Sequence, residues 1–86
     1  MIPPYKYTVD DGVLEVFAAT TKQHREKLLR IFQQLADDPF QEGDSIQRDN
    51  VGRPLHVKRF GEWTATYWPE HLGNQIHIVA IERLRG

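Results

Sequence analysis

The chain contains no cysteine. That excludes a disulfide framework and a zinc–thiolate centre, so packing must hold the fold together. No apolar run approaches the length of a membrane span, and no signal-peptide pattern opens the chain. The simple expectation is a cytoplasmic protein without a membrane partner. Net charge is only −1, whereas a general nucleic-acid binder usually carries a strongly basic balance. There are six glycines and five prolines, too few for a low-complexity tract, and no internal repeat is visible.

What remains is an ordinary globular composition, with 40% hydrophobic and 27% charged residues. Eighty-six residues make a single domain, 1–86. A core this small is marginal alone, which leaves room for a partner chain or a dimer. The charge is unevenly spread. Asp37, Asp38, Glu42, Asp44 and Asp49 crowd a segment whose one basic residue is Arg48. From Arg53 onward the basic groups Arg53, Lys58, Arg59, Arg83 and Arg85 outnumber Glu62, Glu70 and Glu82, with His56, His71 and His77 added. A local basic surface on this half competes with a mixed, solvated face.

Tyr5, Tyr7 and Val9 alternate with Lys6 and Thr8, the period-two pattern of a strand. Residues 13–19 fit a short helix capped by Asp10 or Asp11 better than a hairpin strand. Residues 20–37 are the clearest helix. Leu28, Phe32 and Leu35 form one stripe, and Thr20 with Gln23 has capping-box spacing. Asp38-Pro39 ends it. Residues 40–54 read as a polar loop anchored by Phe40. Three strands follow, over 55–59, 63–68 and 76–84. On the second, Trp63, Ala65 and Tyr67 share a face. On the third, Ile76, Ile78 and Ala80 share one face and Val79 and Ile81 the other, as expected of a strand away from the edge. The order β-α-α-β-β-β implies an α+β domain: a twisted, mainly antiparallel sheet with helices on one face. A ligand would lie on the other face.

Three segments carry a family resemblance: LADDPFQEGD (35–44), GRPLHVKRFGEWTATYW (52–68) and IHIVAIERL (76–84). With the element order, they resemble the RelE/ParE superfamily of type II toxin–antitoxin toxins over nearly the whole chain. The resemblance implies two activities. RelE-like members cleave messenger RNA on the ribosome. ParE-like members inhibit DNA gyrase by binding. Both kinds are neutralised by an antitoxin protein that wraps them. Under the nuclease reading no metal or other cofactor is required. An imidazole at His56 could act as base or acid. Lys58, two residues on and on the same face, could hold phosphate, with Arg83 or Arg85 as the cation the family places after its last strand. Arg59 and Trp68 would contact RNA, Trp68 by stacking a base. The middle strand departs from the family, with uncharged Thr64 where the nuclease arginine is expected. That departure and the acidic balance keep a second reading open: a non-catalytic ParE-like inhibitor, or an inactive relic of the fold.

Other readings are structural. His24 is expected to be a partly buried packing residue, and His71 an exposed turn residue. His77 could meet His56 across the sheet. The histidines with Glu70 or Glu82 lack a recognised metal-ligand spacing.

Overall fold

The computed structural model describes residues 3–84. Seven elements follow in the order β1 (Lys6–Val9), α1 (Asp11–Ala19), α2 (Lys22–Asp37), β2 (Ser45–Arg48), β3 (Pro54–Phe60), β4 (Trp63–Glu70) and β5 (Gln75–Arg83). They build one five-stranded sheet in the order β1-β5-β4-β3-β2. β1 runs parallel to β5, and the other neighbours are antiparallel. The α+β class and the mainly antiparallel sheet with helices on one face are those the sequence implies.

Each helix starts where local chemistry allows. Residues 13–19 are helical, as favoured above. Asp10 keeps an extended backbone at the N-cap of α1 without a side-chain bond. Its carbonyl takes the amides of Val13 and Leu14, at 2.9 and 3.1 Å. Asp11 places a negative charge in the first turn, where the helix dipole favours it. The cap of α2 lies one residue later than the sequence spacing suggests. Thr21, not Thr20, accepts the His24 amide at 3.3 Å. Thr20 ends α1, and its carbonyl accepts Arg25 Nη1 at 3.0 Å. α2 stops at Asp38, whose N–H reaches the Gln34 carbonyl before Pro39.

The core lies between the helices and one sheet face. Leu28, Ile31, Phe32 and Leu35 of α2, with Val13 of α1, meet Trp63, Ala65 and Tyr67 of β4 and Ile76, Ile78 and Ile81 of β5. Each large side chain buried this way contributes about 1.5–3 kcal/mol relative to exposure. The helices are not centred on the sheet. α1 packs over β5 and α2 over β1 and β5.

Three further details differ from the sequence reading. The polar stretch 40–54 contains a strand, β2, which pairs with β3. Phe40 is not a core anchor. It is 58% exposed and stacks on His71 at 4.9 Å, while Pro39 beside it is buried. On β5 the pairing jumps from Thr66↔Ala80 to Tyr67↔Ile78, leaving Val79 as the extra residue of a bulge. The bulge reverses the phase of the strand. Ile81 rejoins Ile76 and Ile78 in the core, and Ala80 turns away. β5 does lie inside the sheet, between β1 and β4.

Candidate functional site

Cross-strand partners in an antiparallel pair project to the same side. His56 pairs with Tyr67, Lys58 with Ala65 and Phe60 with Trp63. Tyr67, Ala65 and Trp63 are buried in the core. His56 and Lys58 therefore share a face, as expected from their spacing, but it is the face that bears the helices. They stay accessible there because α1 and α2 lean toward β1 and β5. The segment between α2 and β2 covers part of the gap over β3 and leaves His56 and Lys58 half-buried.

That segment is bonded along β3. Gly43 N–H donates to His56 Nδ1 at 3.1 Å. Asp44 N–H donates to the Val57 carbonyl at 2.8 Å, and Arg59 N–H donates to Asp44 Oδ2 at 2.9 Å. Gly43 has no room for a side chain. A Cβ there would lie 2.8 Å from Val57 N, 2.9 Å from His56 Cβ and 2.9 Å from the Val57 carbonyl oxygen. Gln41 joins three elements. Its Nε2 donates to the carbonyls of Gln34 and Asp38, at 3.1 and 3.0 Å, satisfying the end of α2. Its Oε1 accepts Lys58 Nζ at 2.6 Å. Its carbonyl accepts the Tyr67 hydroxyl at 3.3 Å. Tyr67 lies parallel to the His56 ring, with centroids 5.4 Å apart and planes 18° apart. Burial, reinforced by the charges of Asp44 and Asp38, pushes the Tyr67 phenol up to about 12.

Arg83 lies at the other end of the sheet, opposite Trp63, and is not joined to this cluster. Its Nε and Nη2 both contact Glu62 Oε2 at 3.1 Å. Lys27 Nζ and His24 Nδ1 approach Glu62 Oε1 at 3.7 and 3.5 Å. Partial burial pulls the Glu62 pKa upward, but the hydrogen bond and charge of Arg83, aided by His24 and Lys27, outweigh it. The carboxyl ends below its ordinary range. His24 is half-buried, as expected, with its ring edge-on to Trp63 at 5.8 Å. An open groove of about 940 Å³ runs beside this corner, lined by Val16, Thr20, Trp63, Ile81 and Arg83.

The remaining site residues look the other way. Arg59 pairs with Thr64 and Trp68 with His77, all on the helix-free face. His77 therefore does not meet His56. It stacks on Trp68 at 4.4 Å and hydrogen-bonds Thr8 Oγ1 at 2.8 Å. The Arg53 guanidinium sits 4.1 Å from the Trp68 ring centroid. Trp68 thus already has two stacking partners. Arg59 Nε donates to the Gly61 carbonyl at 2.9 Å. His71 is exposed and pairs with the Tyr5 hydroxyl at 2.7 Å. Arg85 lies outside the described residues.

The structure thus brings His56 and Lys58 together and separates them from Arg83, Arg59 and Trp68. It adds Gln41, Gly43 and Tyr67, which sequence reading placed in a loop and in the core. Gly43 carried the only signal, a glycine in an otherwise polar, acidic segment.

No protein-family model and no curated protein sequence matches the chain. A solved structure does. The chain superposes on one in the crystal structure of the toxin–antitoxin complex RelBE2 from Mycobacterium tuberculosis, with a TM-score of 0.77 and 12% sequence identity. The match covers 94% of this chain and 99% of that one. At such identity the likeness establishes the fold, which is RelE-like.

Proposed function

We propose that this chain is the toxin of a bacterial type II toxin–antitoxin pair, acting in the cytoplasm on RNA. The observation that carries this reading is the near-complete overlap with a chain of a toxin–antitoxin complex, at a TM-score of 0.77. By that likeness the partner is an antitoxin protein. The RNA target is supported by His56 and Lys58, which share one accessible corner and one supporting loop. Lys58 supplies a cation for the phosphate and His56 a ring nitrogen beside it. The reading needs no metal or other cofactor. Arg83 would serve as a phosphate clamp only after leaving Glu62, and Arg85 stands as a second candidate for that role. Arg59 and Trp68 would contact RNA from the helix-free face, on a separate stretch of the strand.

A second reading has its own support. Arg83 is engaged by Glu62, and Thr64, on the helix-free face, carries no charge. A chain with its cations so disposed suits a toxin that binds and blocks a protein target, such as DNA gyrase, without cleaving RNA.

Induced expression, with growth and messenger RNA integrity followed together, separates the two. Growth arrest with message cleavage, both abolished by His56→Ala and Lys58→Ala, is the expected result. Arrest with intact message and stalled gyrase would favour the blocking toxin. Unimpaired growth would sink the toxin reading altogether.

A further inference from the structure

We infer that the loop from Gln41 to Gly43 locks His56 as its Nε2–H tautomer, making it a fixed hydrogen-bond donor for a phosphodiester oxygen of single-stranded RNA. The inference rests on the RNA reading above and assigns His56 a different task from proton transfer.

A neutral imidazole carries one N–H and one acceptor nitrogen, and the partner of one nitrogen decides the state of the other. A backbone N–H can only donate. Gly43 N–H points at His56 Nδ1 from 3.1 Å, so Nδ1 must accept and the proton resides on Nε2. A proton on Nδ1 would set two donors against each other. A half-turn of the ring would keep it parallel to Tyr67, but it would put a carbon in the place of Nδ1 and leave the Gly43 N–H without its acceptor. Tyr67 is held in turn by its hydroxyl bond to the Gln41 carbonyl. The Gly43 amide is equally confined, since even a Cβ at that position would collide with Val57 and His56. Gly43, Gln41 and Tyr67 are therefore positioning residues that act through His56.

The other nitrogen is available. Among the described residues His56 Nε2 has no hydrogen-bond partner, and it is not one of the buried polar atoms left without one. Lys58 on the same face presents an ammonium steadied by Gln41 Oε1. Two preset donors on one strand suit an anion with two acceptor oxygens, the pattern of a phosphodiester. A ring held to accept at Nδ1 and donate at Nε2 has no lone pair facing outward. It cannot take the 2′-hydroxyl proton that cleavage requires.

Two measurements on the full chain test this. Long-range proton–nitrogen NMR on the ¹⁵N-labelled protein should show His56 as the Nε2–H tautomer, and Gly43→Ala should mix the tautomers. Binding to a short single-stranded RNA oligonucleotide should weaken about tenfold or more in His56→Ala, as expected for a lost bond to a charged group. It should stay near wild type in His56→Gln, whose amide N–H takes the place of Nε2–H. An Nδ1–H spectrum beside intact RNA binding would overturn the lock alone. A Gln variant as weak as the Ala variant would overturn the donor role. If the unaltered chain bound no RNA, the RNA reading would fall, and the phosphate contact with it. The wild-type spectrum would then still decide the tautomer. It also needs no variant to fold.

Discussion

At the Tyr67 end of β4, the polar groups on the helix-bearing face are tied by amide and backbone hydrogen bonds. At the Trp63 end they are tied by charge. The first corner joins His56, Tyr67, Gln41, Gly43 and Lys58 through neutral bonds and one ammonium–amide contact. The second gathers Arg83, Lys27 and His24 around the single carboxylate of Glu62. The difference lies in what each leaves for a ligand. A backbone donor orients His56 without spending its outward nitrogen. A carboxylate spends the cations it collects. The first corner therefore keeps the outward nitrogen of His56 without a partner among the described residues, and the second is mainly a brace between α2, the β3–β4 turn and β5.

The contrast can be broken most severely at Tyr67. Replacing it with alanine removes a fully buried ring, and with it the surface on which His56 lies. The expected loss is about 3–5 kcal/mol of stability, read by urea unfolding. Gly43→Ala comes next. Its Cβ must push backbone aside, at a cost of about 1–3 kcal/mol in the same assay. Tyr67→Phe is milder, about 1 kcal/mol for one hydroxyl bond, and it carries a pH signature. Because the folded-state value is raised to about 12, the stabilisation is complete below the ordinary phenol value. It is lost as pH rises toward about 12. The phenylalanine variant should lack that part of the alkaline fall, as followed by circular dichroism. Glu62→Gln should have the smallest effect, because its ion pairs with Arg83 and Lys27 lie at the surface, where solvent screens them. The Glu62 carboxyl is held below its ordinary range. Its contribution is present above the unfolded-state value and lost as pH falls through the folded one. The variant should show a shallower acid limb and little change near neutrality.

Much of the architecture could be read from patterning. The stripe Leu28, Phe32 and Leu35 and the alternation Trp63, Ala65 and Tyr67 each report one buried face, and the structure buries those residues. β2 could not be read this way. All four of its residues are exposed, so no period-two contrast marks it. The bulge at Val79 was hidden because Val, Ala and Ile fit either face of a strand. The capping error at Thr20 reflects two adjacent threonines, either of which could start a helix. For the site, spacing placed His56 and Lys58 on one face. Which face that was depended on register with β4, a long-range quantity. The roles of Gln41 and Gly43 depend on a loop crossing over β3, which no local pattern encodes. The helices' lean toward β5, which leaves the corner open, is likewise a property of packing.

The first strand of the sheet has only the last one as its neighbour. Thr8 and His77, bonded across that junction, stand 69 residues apart in the chain. During synthesis, then, α1 and α2 emerge with their apolar stripe and must wait for β4 and β5 to cover it. Contacts this distant in the chain slow folding and prolong exposure of the stripe. Translation that halts before Gln75 leaves β1 without its neighbour and the helices without Ile76, Ile78 and Ile81 to pack against.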